Sequence, residues 1–577
     1  VYFSGFYALK PYSPLVKHGT VVEVQRYFEQ HAGVATHDMT GTSRISVAGE
    51  ETKIDAGAKA FDGGIIPIPN DRNDVIQRIF ISQGTNELLA DGENPDDYMG
   101  RSFYTSVSWI EDALDYIDAV RGKFGNDIEF ELIVAGGVYK PKYRVTREDG
   151  TQGPPDQRRN TFLIPQGVSI YGGFRGDETY STGRGSIPAA SGTMTLQPDG
   201  AINTLLDSRE LSDMNGNGLL EPWEMSSQTI FSGNVNASGE ERRTFHVIYS
   251  NGTGGEVTLD GVTVMSGQTA NVMTEVTARG DAGRGGGIYT DGVSYTISNC
   301  RFMDNFAVRG GAIYSRDGRL TISASIFAGN GTVDNPVTPS EYQPASGGAV
   351  YLTGMSQTAS TAALYAANTL WVNNETAGRG GAIGTNYAEG VTTTYAPMIS
   401  LINNTFACNK AAMNAVVYGS NDRSEIINTL MWGNESETED MSFVRMMSHS
   451  ASDDARNISQ SQYGTGNIQI SAENMAVDGP RFTRPASRAG VDGNDAMNLW
   501  NPVSISVLTD GGDGLVTADT GREEGAYVGW FVENDLQPLK DNYISGGYER
   551  YSGPLREDGT EDDKPIDIGF YEYQYVE

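Results

Sequence analysis

The sequence predicts an all-β solenoid, and three observations carry that prediction. A two-part phrase recurs through the middle third of the chain: a Gly-Gly-Ala-Ile/Val stretch followed, one short strand later, by aromatic-x-x-Asn. The first part stands at Gly286-Gly287-Ile288-Tyr289, Gly310-Gly311-Ala312-Ile313-Tyr314, Gly347-Gly348-Ala349-Val350-Tyr351 and Gly380-Gly381-Ala382-Ile383, with a degenerate copy ending Val416-Val417-Tyr418. The second stands at Phe302 to Asn305, Phe327 to Asn330, Trp371 to Asn374, Phe406 to Asn409 and, more loosely, Met431 to Asn434. Self-similarity at roughly 25 to 45 residues marks stacked repeats. Composition agrees: 71 glycines in 577 residues and an apolar fraction of 38% suit rungs that each bury a narrow stripe and spend many residues on turns.

In chain order, residues 1–74 read as an N-terminal segment or the end of an upstream module, closed by the break Ile68-Pro69-Asn70-Asp71. The opening Val1-Tyr2-Phe3-Ser4 has neither an initiator Met nor a basic-then-apolar leader, which reads as a processed product or a fragment. The repeat domain is expected over 75–577. Val75 to Ile81 reads as its first strand. Ser106 or Ser108 is expected to cap a helix that carries Trp109, Ala113, Leu114, Ile117 and Val120 at helical spacing and stops at Gly122. Such a helix suits a cap on the open N-terminal end of a solenoid. Glu131 to Tyr139, Thr161 to Pro165 and Val168 to Phe174 follow as short β-rich runs closed by glycine turns. Polar insertions at 142–160, 175–226, 331–345 and 435–463 must loop outward, because polar backbone cannot be buried in a coil's interior.

Each rung follows from strand geometry. Residues such as Thr296 to Phe302 alternate in and out, so apolar side chains stack as ladders of like on like. Gly-Gly pairs supply the left-handed backbone that corners need. The Asn closing each phrase tolerates the same conformation, and stacked Asn amides can bond along the axis. Ala-x-Arg-Gly-Gly places Arg284, Arg309 and Arg379 along one edge, either to offset neighbouring carboxylates or as a glycan-binding stripe. Cys300 and Cys408 fall at different rung positions and read as small buried residues rather than a disulfide.

The net charge of −33 is spread along the chain, which disfavours nucleic acid as a partner. No run of about 18 apolar residues is present to span a bilayer as a helix. The strongest local site is Asp213 to Glu224. It matches an EF-hand loop, with oxygen side chains at Asp213, Asn215 and Asn217, the turn glycine Gly218, the Leu219 carbonyl, Glu221, and Glu224 as a bidentate ligand. Structural Ca²⁺ is the expected cofactor. Leu205 to Leu211 offers a short entering helix, and Pro222 can start an exiting one. Asp492-Gly493-Asn494-Asp495 and Asp510-Gly511-Gly512-Asp513 read as turns. No catalytic residues are assigned. Glycosidases and lyases need convergent acids or an acid–base cluster, and the five histidines, His18, His31, His37, His246 and His449, are scattered. His246, on a rung strand, reads as a hydrogen-bonded structural histidine.

These phrases resemble bacterial surface proteins with a right-handed parallel β-helix, and the Gly-Gly-Ala-Ile and Phe-x-x-Asn pair is similar to the repeats of chlamydial polymorphic outer-membrane proteins. More specifically, Trp109 with Ala113 and Leu114, then Ile133 to Pro141, Tyr171 to Thr179, Thr229 to Asn234, His246 to Ile248 and Leu259 to Val264 are similar, in order, to the opening of choice-of-anchor Q type β-helix proteins. Pro565 to Glu572 looks like the closing strand of the same group. The resemblance covers about 75–577. It implies a secreted or surface-displayed protein, often from the Bacteroidota, with an extracellular glycan or an envelope protein as partner. It also implies an anchoring segment beyond the last strand, whereas this chain stops at Tyr575-Val576-Glu577. The expected role is adhesion, glycan contact or assembly of an outer-membrane surface complex, with a polysaccharide lyase or glycoside hydrolase as the alternative.

Overall fold

The computed structural model describes residues 3–4, 8–9, 45–48, 51–54, 66, 68–83, 100–142, 157–178, 205–206, 208–212, 223–235, 243–269, 283–333, 346–354, 362–385, 397–419, 424–441, 446–448, 450–458 and 467–470. These are mostly β, with parallel strands in stacked sheets and few helices, an arrangement consistent with a parallel β-helix. The chain divides into two compact units, 1–210 with 227–230, and 211–226 with 231–577.

In the first unit, Arg78–Ile81 pairs in parallel with Phe130–Ala135, which pairs in turn with Val168–Phe174. Between the first two strands runs a helix, α1, over Ile110–Phe124. Its boundaries differ from the sequence expectation. Trp109 is the N-cap and makes no side-chain cap bond, while Gly122 sits inside the helix with open space where a Cβ would go. The stop is Gly125, whose φ of 105° few side-chain-bearing residues could adopt and whose N–H closes on the Arg121 carbonyl. Ala113, Tyr116, Ile117 and Val120 are buried, and the Tyr116 hydroxyl accepts from the Ile76 N–H at 3.0 Å. Phe80, Phe103, Ile133, Phe174 and Leu205 share a core in which Phe80 and Phe103 meet edge to face at 5.0 Å.

The second unit repeats a turn of three short strands. One turn is Ile288–Asp291, Ser294–Ser298 and Arg301–Met303, and the next is Ile313–Arg316, Arg319–Ser323 and Ile326–Ala328. Corresponding strands pair in parallel and in register, so identical rung positions stack. Ile288, Ile313, Val350, Ile383 and Val417 form one apolar ladder. Phe302, Phe327, Trp371 and Phe406 form another, with neighbouring rings parallel within 11° and 4.4 to 5.5 Å apart. Register is fixed because a slip of one residue would put each apolar side chain on the opposite face.

The glycine phrase makes a corner. Gly310 and Gly347 have φ of 63° and 69°, and Asn414 holds the equivalent place in the degenerate copy at 54°. The second glycine answers to crowding instead: a Cβ on Gly348 would stand 2.1 Å from the Gly381 carbonyl oxygen.

Of the two parts expected of the Asn in aromatic-x-x-Asn, it takes the amide ladder and leaves the left-handed corner to its neighbour. It is the residue before it that turns left-handed: Asp304, Gly329, Asn373, Cys408 and Gly433, with φ of 53 to 64°. That leaves the phrase asparagines free to face inward. The Nδ2 of Asn305, Asn330, Asn374 and Asn409 donates to the Oδ1 of the next turn's Asn at 3.0 to 3.1 Å, ending on Asn434. Each Nδ2 also donates to a backbone carbonyl, as Asn374 does to Phe327 at 2.9 Å. Cys300 and Cys408 are buried and form no disulfide.

Candidate functional site

Glu224 is the one expected calcium ligand among the described residues; Asp213, Asn215, Asn217, Leu219 and Glu221 lie outside them. Its side chain is 0% exposed. The loop's ends are drawn together, since the Ser212 N–H donates to the Glu224 carbonyl at 2.9 Å and Leu211 forms an antiparallel bridge with Met225. This bridge corrects the expected exiting helix: the chain leaves the loop as an extended segment. Glu224 is thus buried where the two ends of the loop meet. The Asp492 to Asp495 and Asp510 to Asp513 segments lie outside the described residues, as do His18, His31, His37 and His449. Among the described residues no group of three or more His, Cys, Asp or Glu is placed to hold a metal, and no helix is long and apolar enough to cross a membrane.

His246 is buried, with Nδ1 2.8 Å from the Gly285 carbonyl, as expected of a structural histidine. Its ring lies 5.8 Å from Tyr249 and 5.5 Å from Tyr289, at the start of a column that sequence reading missed. Tyr249, Tyr289, Tyr314 and Tyr351 occupy one rung position and stack ring on ring, 4.8 to 5.7 Å apart. They point away from the face that carries Ile288, Ile313 and Val350, because neighbouring residues of a strand alternate. Gly384 interrupts the column before Tyr418 resumes its rung position.

Arg284, Arg309 and Arg379 do lie along one edge, in parallel bridges that run from Arg284 to Arg309 to Ser346 to Arg379. Among the described residues they offset no carboxylate. Each guanidinium lies over the tyrosine of the following turn: Arg284 at 5.2 Å from the Tyr314 ring centre, Arg309 at 5.4 Å from Tyr351, and Arg379 at 4.9 Å from Tyr418. Arg379 also donates from Nη1 to the Tyr418 hydroxyl at 2.5 Å. Such contacts contribute about 0.5 to 2 kcal/mol each, depending on desolvation. Burial pushes the Tyr314 and Tyr351 hydroxyls up, so both stay protonated beside Arg284 and Arg309. Elsewhere arginines find carboxylates: Arg78 meets Glu131 at 2.6 Å, Arg243 meets Asp304 at 2.7 Å, and Arg316 meets Asp291. Among the described residues no carboxylate lies within ion-pair distance of the three edge arginines, which are half-buried.

Among the described residues two acidic places have the raised proton affinity that acid catalysis uses. Burial pushes Glu111 on α1 up to about 7, although its Oε1 accepts the Lys142 N–H at 2.6 Å. Burial, then the nearby Asp453 and Asp454 carboxylates, pushes Asp440 up to about 8. Asp440 is 2% exposed and accepts from Asn457 Nδ2 at 3.1 Å, which withdraws it from any polymer in solution. Neither place pairs an accessible acid with an accessible base. Compared with protein-family models, curated proteins and solved structures, the chain matches none.

Proposed function

We propose that this protein is a non-catalytic surface scaffold of the choice-of-anchor Q type: a right-handed parallel β-helix, capped at its N-terminal end by α1 and stabilised by Ca²⁺ at Asp213 to Glu224. Insertions loop outward from it, and it serves adhesion, glycan contact or assembly of an envelope complex at the bacterial surface. The observation that carries this reading is the division of labour among polar side chains in the second unit. Its phrase asparagines are consumed by ladder bonds, whereas Arg284, Arg309 and Arg379 sit at an edge and pair with no carboxylate among the described residues. A regular coil holds such groups at fixed spacing with little ordering left to do on binding, which favours contact over chemistry.

The test is a panel of acidic and neutral polysaccharides incubated with the protein and scored for both retention and products. Retention without new reducing ends or unsaturated sugars is expected. Release of either product would overturn the non-catalytic reading.

A further inference from the structure

The geometry points to Arg284, Arg309 and Arg379 as a linear site for an extended acidic polysaccharide, one bearing carboxylate or sulfate groups at regular intervals. This rests on the glycan-contact reading above and names the class of glycan.

Three observations support the assignment. The first is unspent capacity. A guanidinium carries five N–H donors in a planar fork that matches a carboxylate or sulfate edge. Arg284 and Arg309 spend none of theirs on a carboxylate among the described residues, in a chain whose net charge is −33. Acceptors of the right sign abound in this protein, yet these arginines are turned onto tyrosine rings, which hold the guanidinium by its face and leave its edge without a carboxylate among the described residues.

The second is joint replacement. The edge arginine of one turn covers the tyrosine of the next, in the pairs Arg284 with Tyr314, Arg309 with Tyr351 and Arg379 with Tyr418. The turn between them carries Ser346 at the arginine position, and the following turn carries Gly384 at the tyrosine position. Both partners are lost together. A Cβ on Gly384 would stand 2.2 Å from Ser346 Oγ, so the small pair closes onto itself. The arginine and its tyrosine therefore behave as one unit, with the ring as a support for the cation.

The third is spacing. Neighbouring strands lie about 4.8 Å apart, so Arg284 and Arg309 are one such step apart and Arg309 and Arg379 two, or roughly 10 Å. A chain of sugars with a charge on every residue or every second residue presents anions sparsely enough to meet that row. A nucleic acid duplex carries about one charge per 1.7 Å, far denser than the spacing of this row.

The experiment measures binding of the whole chain to polygalacturonate, heparin, dextran and duplex DNA at low and at physiological salt. Melting curves confirm that R284Q/R309Q/R379Q stays folded. The expected result is salt-sensitive binding to at least one acidic polysaccharide, none to dextran, and at least a tenfold loss in the triple variant. R309K, which keeps the charge and loses the fork, should lose affinity to an intermediate degree, and it decides the question if the triple variant does not fold. Undiminished binding by the folded triple variant, or by R309K where it stands in for an unfolded triple variant, would overturn the site. Binding to dextran alone would overturn the site and leave glycan contact standing. Binding to duplex DNA as tight as to either polysaccharide, or binding to neither polyanion, would overturn it also.

Discussion

Asn374 shows how one side chain serves several turns at once. Its Oδ1 accepts from both the backbone N–H and the Nδ2 of Asn330, while its own Nδ2 reaches Asn409 and the Phe327 carbonyl. Removing it leaves buried groups on two neighbouring turns short of partners, at about 1 to 3 kcal/mol for each unsatisfied group. Asn374→Ala should therefore lower the unfolding free energy by about 3 kcal/mol in denaturant titration, and Asn434→Ala, at the ladder's end, by clearly less. Equal losses would remove the cooperative ladder. Gly348→Ala should be worse, because its Cβ meets the Gly381 carbonyl oxygen at 2.1 Å and backbone cannot step aside. A melting temperature within a degree or two of the parent would contradict that. The ladder was legible in the sequence, since only a stacked repeat needs an Asn at the same place in every turn. The left-handed residue was not legible: Asp304, Asn373 and Cys408 share that role with two glycines, so rung geometry selects the position and residue type merely permits it.

At the level of elements, α1 was predicted with Ala113, Leu114, Ile117 and Val120 buried as found, but with its start and its stop both misplaced. A glycine at an exposed helical position costs stability without ending the helix, and Gly122 is such a case. Gly122→Ala should raise stability by about 0.5 to 1 kcal/mol, read as a higher midpoint in denaturant; an unchanged or lower midpoint would refute the assignment. The segment around Ala455–Ile458 makes a prediction in pH. Asp440 holds its proton to about 8 in the folded chain, against about 4 for an unfolded carboxyl, with Asp453 raised to about 6 beside it. A raised carboxyl contributes fully below the unfolded value and loses that contribution as pH climbs through the folded one. Stability of the second unit should accordingly decline from about pH 4 to 8. Asp440→Asn should flatten much of that decline, and an unaltered profile would show that Asp440 does not cause it. Arg456 moderates the effect from its pairing with Asp454.

Over the whole molecule, the repeated phrase accounts for scaffold, and the contact role we propose falls to the edge arginines that interrupt its economy. Their row was visible in the spacing of Ala-x-Arg-Gly-Gly. Their support was not, because the tyrosine each one covers belongs to the following turn and only the fold brings the two together. Residue types alone suggest the calcium loop, and Glu224→Gln should lower the melting temperature in Ca²⁺ while leaving it unchanged in chelator. Identical curves in both conditions would remove the site. The central claim is that turns of the second unit are interchangeable modules in strict register. Arg284 and Arg309, Cys300 and Ser325, and Asn305 and Asn330 are each one turn of 25 residues apart. Deleting residues 284–308 should join Gly283 to Arg309 with Ile313 beneath Ile248 and Phe327 beneath Val264, at reduced stability because one nearest-neighbour interface is lost. The measurement is cooperative unfolding of that deletion beside one of residues 284–307, which shifts register by one. Retained cooperative unfolding in the first and its loss in the second is the predicted result; equal behaviour of the two would contradict the account.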